Sequence, residues 1–133
     1  MNSLLGNITE INTDGSLSLV KIKVQNTVIT SIVIDTPETS NYLKKGNNIK
    51  VLFKETEVIL VKDFNGTISL QNKIDCRVHS FEKGKLLCKI VLSFDDHKIT
   101  SVITRNAFDQ LQIQENEAIT AMIKTNEISL SHD

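Results

Sequence analysis

The chain has 133 residues, of which 40% are hydrophobic and 23% charged, with a formal net charge of −1 at pH 7. That length suits one ordinary domain or two very small ones, and the composition is that of a soluble globular protein. A charge near zero excludes a strong general pull on nucleic acid or anionic lipid, and no stretch approaches the ~20 apolar residues of a membrane span.

The opening "MNSLLGNITEI" has neither the basic nor the apolar region of a signal peptide, so a cytoplasmic location is expected. Apolar and β-branched residues then recur at short alternating spacing: Leu4, Ile8 and Ile11, then Val20, Ile22 and Val24, then Ile29 to Ile34, then Ile49, Val51 and Phe53. This is the pattern of strands half-buried in a sheet. Asp14-Gly15 and Asn26-Thr27 read as hairpin connections. One segment departs from the pattern. "TPETSNYLKKG" (36–46) offers Thr36 as an N-cap, Pro37 at the first helical position and Gly46 beyond the end, which predicts a short helix between strands.

"DFNGT" (63–67) carries the turn signal Asn65-Gly66, and beyond it the chain repeats itself. Shifted by 70 positions the sequence aligns on itself without a gap. Asn2 meets Asn72, Ile29-Thr30-Ser31 meets Ile99-Thr100-Ser101, and "NIKVLFKETEVIL" (48–60) meets "AITAMIKTNEISL" (118–130). Lys83-Gly84 and Asp96-His97 take the hairpin positions of the second copy, and Thr104 is placed to cap a helix over 105–110. A fixed internal period marks repeated structural units. The expected fold is therefore mostly β: two tandem five-stranded small barrels of the oligonucleotide/oligosaccharide-binding type, each with one short helix, spanning residues 1–65 and 66–133. Leu52 and Met122 lie between the inward positions of their strands, and Leu17 and Leu19 alternate against Val20 and Ile22. Such residues imply a covering surface, supplied by the other module or by another chain.

The side chains that carry chemistry make no recognisable catalytic set. Cys76 and Cys88 share the parity of apolar neighbours, as buried free thiols do. His79, His97 and His132 are scattered and give no metal-ligand spacing. Neither a nucleophile with its base nor a glycine-rich phosphate loop is present, so no enzyme activity is expected. With no Trp and one Tyr (Tyr42), the chain also lacks the stacking platform of a nucleic-acid-binding barrel.

The stretch "SLQNKIDCRVHSFEKGKLLCKIVLSFDDHKITSVIT" followed by "AITAMIKTNEISL" resembles the Mop module, one of the TOBE-type domains of molybdate- and tungstate-binding proteins. The family pattern opens with Ser-Ala-Arg-Asn and continues through a glycine, a strand reading "ITSIIS", a short helix ending in Gly and "VxAxIKAxxVxL". The resemblance runs over essentially the whole chain, twice. It implies a non-enzymatic protein that binds molybdate or tungstate for storage, homeostasis or sensing, self-associates as a homodimer or homotrimer, and touches neither nucleic acid nor membrane. It also implies an oxyanion site. The family's opening Ser matches Ser69, its Arg matches Gln71, the terminal hydroxyl of "ITSIIS" matches Thr104, and the Lys of "IKA" and the next small residue match Lys124 and Thr125. The first copy matches poorly: Met1 falls on the Arg position, Ile34 replaces the hydroxyl, and Lys54, the weaker candidate, is followed by Glu55.

The chemistry of the ligand points the same way. A tetrahedral dianion presents only acceptor oxygens, so its site needs hydroxyls, N–H groups and a cation. Ser69, Thr104, Lys124 and Thr125 are donors, whereas Glu55 would repel the ligand. The alternative function is an oligomerisation or protein-interaction module, such as the effector part of a regulator or transporter, that has lost anion binding. Gln71 in the place of Arg and the degraded first copy are its support.

Overall fold

The computed structural model describes residues 1–132. Ten strands and one α-helix follow in order: β1 (Asn2–Asp14), β2 (Leu17–Val24), β3 (Thr27–Val33), β4 (Asn48–Phe53), β5 (Ile59–Val61), β6 (Asn72–Lys83), β7 (Leu87–Phe94), β8 (His97–Thr104), α1 (Arg105–Leu111), β9 (Ala118–Ile123) and β10 (Ser129–Ser131). A short 3-10 turn precedes each final strand, at Glu55–Glu57 and Thr125–Glu127. The fold is mostly β, with two five-stranded curled sheets, as the alternating pattern predicts.

The long strands β1 and β6 alternate strictly at their starts. Asn2, Leu4, Gly6 and Ile8 face inward, as do Asn72, Ile74, Cys76 and Val78, because successive side chains of a strand point to opposite faces. Both strands bulge at matching places, between Ile8 and Glu10 and between Val78 and Ser80. Such a bulge bends a strand and increases its twist, which curls the sheet around its contents. Cys76 and Cys88 are buried free thiols, and burial pushes the Cys76 thiol up to about 12.

The two sheets run β10-β4-β1-β2-β3 and β5-β9-β6-β7-β8. Each repeat therefore gives its last strand to the other. Leu130 of β10 pairs with Val51 of β4, and Leu60 of β5 pairs with Ala121 of β9. Whatever divides the repeats along the sequence, in space both contribute to each sheet and to one continuous buried apolar cluster.

Around this exchange three bonds of each repeat recur with the sequence period. The Asn72 side chain accepts from the Thr30 N–H at 2.7 Å and donates to the Thr30 carbonyl at 2.8 Å. Asn2 does the same to Thr100, at 2.7 and 2.8 Å. Ser31 Oγ donates to the Ile128 carbonyl at 2.8 Å, and Ser101 Oγ to the Val58 carbonyl at 2.9 Å. The Asn contacts satisfy backbone groups on the free edges of β3 and β8, and the Ser contacts satisfy carbonyls just ahead of β10 and β5.

Three expectations are corrected. Residues 36–46 form turns, not a helix: Thr36 accepts from the N–H groups of Thr39 and Ser40, and the helix stops after that turn. In the second repeat Thr104 caps α1 by accepting from the Ala107 N–H at 3.1 Å. The matching positions in the first repeat are Ile34, which has no hydroxyl, and Pro37, which has no N–H, so the cap has neither partner. Thr39 also turns its hydroxyl back onto Thr36, competing with helical continuation. Next, the hairpin turns lie at Gly15-Ser16, Gln25-Asn26, 84–86 and Asp95-Asp96, so those expected at Asn26-Thr27 and Asp96-His97 start one residue early. Gln25 and Asp95 there share a left-handed backbone, at φ 52° and 49°. Finally, Met122 is buried within the chain and Leu52 is half-buried, whereas Leu17 stays 48% exposed. Among the described residues no helix is long and apolar enough to cross a membrane.

Candidate oxyanion-binding site

Residues 68–71 lead into β6, and Lys124 and Thr125 open the turn that follows β9. Because β6 and β9 are paired, with Asn72 opposite Ile123, the two segments emerge side by side at one end of the sheet. They line a hollow of about 280 Å³ with Ile59, Ile68, Ser69, Leu70, Gln71, Lys124 and Thr125. Four of the five main candidate residues are thus brought together, and no carboxylate lines the hollow. Two hydroxyls, a carboxamide and an ammonium give the donor set a tetrahedral anion needs.

Thr104 stands apart. It lies at the end of β8 and lines a neighbouring groove of about 390 Å³ with residues that include Leu87, Val102, Ile103, Ala107 and Leu111. The groove and the hollow share Ile59 as a common wall. The Thr104 oxygen is engaged as the cap of α1, but a hydroxyl that accepts there keeps its own proton to donate. Lys54, the weaker candidate, leads into the first 3-10 turn, where its N–H donates to the Glu57 carboxylate at 3.0 Å. Glu55 stands where the second repeat has Thr125. Its carboxylate pairs with the Met1 ammonium, and that bond holds it below the usual carboxylate range. In the first repeat an internal ion pair therefore sits in the place of the donor set.

The Glu127 carboxyl lies in the same turn as Lys124. Burial and a hydrogen bond to Glu57 push it above the usual carboxylate range, against the pull of Lys124. The apolar walls Ile59, Ile68 and Leu70 were not legible as site residues. Ile59 comes from the other repeat, and only the strand exchange carries it there. Among the described residues no cluster of three or more His, Cys, Asp or Glu is arranged to hold a metal ion.

The family model described as the TOBE domain matches residues 68–130, the segment that builds the hollow. That segment is of the TOBE type. The whole chain is 27% identical over 126 residues to the molybdenum transport protein ModE of Herbaspirillum seropedicae, covering 92% of this chain and 47% of that protein. The chain thus spans about half the length of that relative. It is 29% identical over 65 residues to molybdenum-pterin-binding protein 1 of Clostridium pasteurianum, covering 48% of this chain and 96% of the relative. In fold it is similar to a crystal structure of the cytoplasmic molybdate-binding protein ModG with molybdate bound, at a TM-score of 0.91 and 21% identity, over 99% of this chain and 96% of that one.

Proposed function

We propose that the chain is a non-enzymatic oxyanion-binding protein that takes molybdate, or the equally charged and similarly shaped tungstate, for storage, homeostasis or sensing in the cytoplasm. The observation that carries this reading is the convergence of Ser69, Gln71, Lys124 and Thr125 on one hollow without a carboxylate. The molybdenum- and molybdate-binding names of the similar proteins support the choice of ligand. Thr104 is a further donor reached across Ile59. In the first repeat Lys54 keeps the cation, but Glu55 opposes an anion. One ammonium compensates only half of a dianion's charge, so the remainder must come from N–H dipoles or from a second copy of the chain. Assembly into a homodimer or homotrimer fits this need. It also fits the exposed Leu17, Ile32, Ile34, Leu86 and Leu87, which leave apolar surface uncovered. No nucleic acid or membrane is a partner in this reading.

The test is calorimetric titration of the purified protein with molybdate, tungstate, sulfate and phosphate. Saturable uptake of molybdate or tungstate in preference to the smaller anions is expected. No heat with any oxyanion would move the reading to a self-associating interaction module, the function favoured by Gln71 in the place of Arg. Ultracentrifugation at micromolar concentration checks the assembly, and a monomer unchanged by molybdate would refute it.

A further inference from the structure

The hollow has two donor walls that lie far apart in sequence: residues 68–71, and Lys124 with Thr125. Both are fastened to two consecutive residues of β3, in the other repeat. Thr30 fastens the first wall. Its N–H and carbonyl are clasped by the Asn72 side chain at 2.7 and 2.8 Å, and its hydroxyl accepts from Gln71 Nε2 at 3.4 Å. Ser31 fastens the second, its Oγ donating at 2.8 Å to the carbonyl of Ile128, three residues past Thr125. Thr30, Ser31 and Asn72 are all buried, so water does not compete for these bonds.

We propose that Thr30 and Ser31 are positioning residues for the oxyanion pocket, a gauge lent by the first repeat that sets the separation of the two donor walls in the second. The inference rests on the oxyanion-binding function proposed above. A tetrahedral anion offers its oxygens at fixed spacing, and donors serve it only when held within about 0.5 Å of the productive geometry. Neither the 68–71 segment nor a three-residue 3-10 turn has that stiffness by itself. An edge strand does, and one strand can hold two walls because its backbone edge and its alternating side chains point in different directions. The repeat that has lost donors thereby keeps a role in binding.

The internal symmetry supplies the control. Ser101 makes the matching bond to the Val58 carbonyl at 2.9 Å, past Lys54 and Glu55, where the donor set is absent. In the full chain, Ser31→Ala and Ser101→Ala each delete one equivalent buried bond, so their melting temperatures should fall alike. Molybdate affinity should fall about fivefold in Ser31→Ala, the fold-change of roughly one weakened hydrogen bond, and by less than about twofold in Ser101→Ala. The preference for molybdate over sulfate should narrow only in Ser31→Ala. Thr30→Val should weaken binding and Thr30→Ser restore it, and this pair decides the matter if Ser31→Ala does not fold. Equal affinities of the two alanine variants, in a parent that binds molybdate, overturn this inference alone. A parent that takes up no oxyanion overturns it together with the function it rests on.

Discussion

The two repeats place their strands alike and diverge at the single helix and where the donors stand. The second has Thr104, Lys124 and Thr125. At the matching positions the first has Ile34, Lys54 and Glu55, and the Glu55 carboxylate is taken up by an ammonium from its own chain. What stays alike is the machinery that joins the halves: Asn2 and Asn72, Thr30-Ser31 and Thr100-Ser101, and the exchanged strands β5 and β10. A duplicated unit can let one of its sites drift. It cannot drift in the contacts that hold its twin, because each half completes the other's sheet.

The largest expected effect tests that shared machinery. Asn72→Ala removes both bonds to Thr30 and leaves a buried N–H and carbonyl without partners. Each such orphan costs about 1–3 kcal/mol, so a loss of roughly 3 kcal/mol or more is expected in denaturant unfolding. Asn2→Ala should cost nearly as much, since it deletes the same pair of bonds to Thr100. A large difference between the two would show that the halves are not equivalent even in their joint.

Next comes the cation. Lys124 is exposed, on the parity opposite to Ile119, Ala121 and Ile123, so Lys124→Ala should leave the melting curve nearly unchanged. It should weaken molybdate binding about tenfold or more, because hydrogen bonds to charged groups are worth roughly 1.5–3 kcal/mol. Lys54→Ala should weaken it far less. Equal losses in calorimetric titration would mean that the two repeats share the ligand evenly, and no loss in the folded Lys124 variant would remove Lys124 from the site.

The third comparison exchanges Thr104 and Ile34. Thr104→Ile deletes the cap of α1, worth about 1 kcal/mol, together with a donor in the groove that adjoins the hollow across Ile59. Both the melting temperature and molybdate affinity should fall. Ile34→Thr restores a hydroxyl where Pro37 has no N–H to donate to it, so it should change stability by no more than about 0.5 kcal/mol. A parent-like affinity in Thr104→Ile would confine Thr104 to its capping role.

The alternation of β-branched residues made the strands legible, and the 70-residue period made the doubled architecture legible. The strand exchange was not. A strand of three residues such as Ile59–Val61 has the same pattern whichever sheet it joins, and only the length of the connector and the packing of the halves decide its partner. The missing first helix shows the limit of reading caps one residue at a time. Thr36-Pro37 looks like a helix start, but the second repeat begins its helix two residues earlier, with a hydroxyl that Ile34 lacks and an N–H that Pro37 lacks. The donors of the hollow could be picked out because their chemistry is unusual in a strand protein. Thr30 and Ser31 could not, because a Thr-Ser pair inside a strand is ordinary. Its presence in both copies, as "ITS", was the only signal available.

The smallest expected effect concerns the carboxyls that meet between the halves. Glu57 and Glu127 occupy matching positions and lie close enough for Glu127, when it carries a proton, to donate to Glu57. Burial and that bond raise Glu127, while Lys124 pulls it down. A carboxyl whose pKa is raised by folding binds its proton more tightly in the folded chain. The folded state therefore gains stability as pH falls from the raised value toward the ordinary carboxylate range. Above the raised value Glu127 is charged, and its repulsion by the Glu57 side chain is a standing cost. Glu127→Gln should remove that cost by donating an amide hydrogen to Glu57 at every pH. The pair is open to solvent screening, so the gain at pH 7 should be on the order of a few tenths of a kcal/mol. Urea unfolding of parent and variant at pH 5 and pH 7 measures it: the variant should lead at pH 7, and the gap should close at pH 5. A gap that widens on acidification would mean that Glu127 is held charged by Lys124, and that the contact between the halves is an ion-pair network instead of a shared proton.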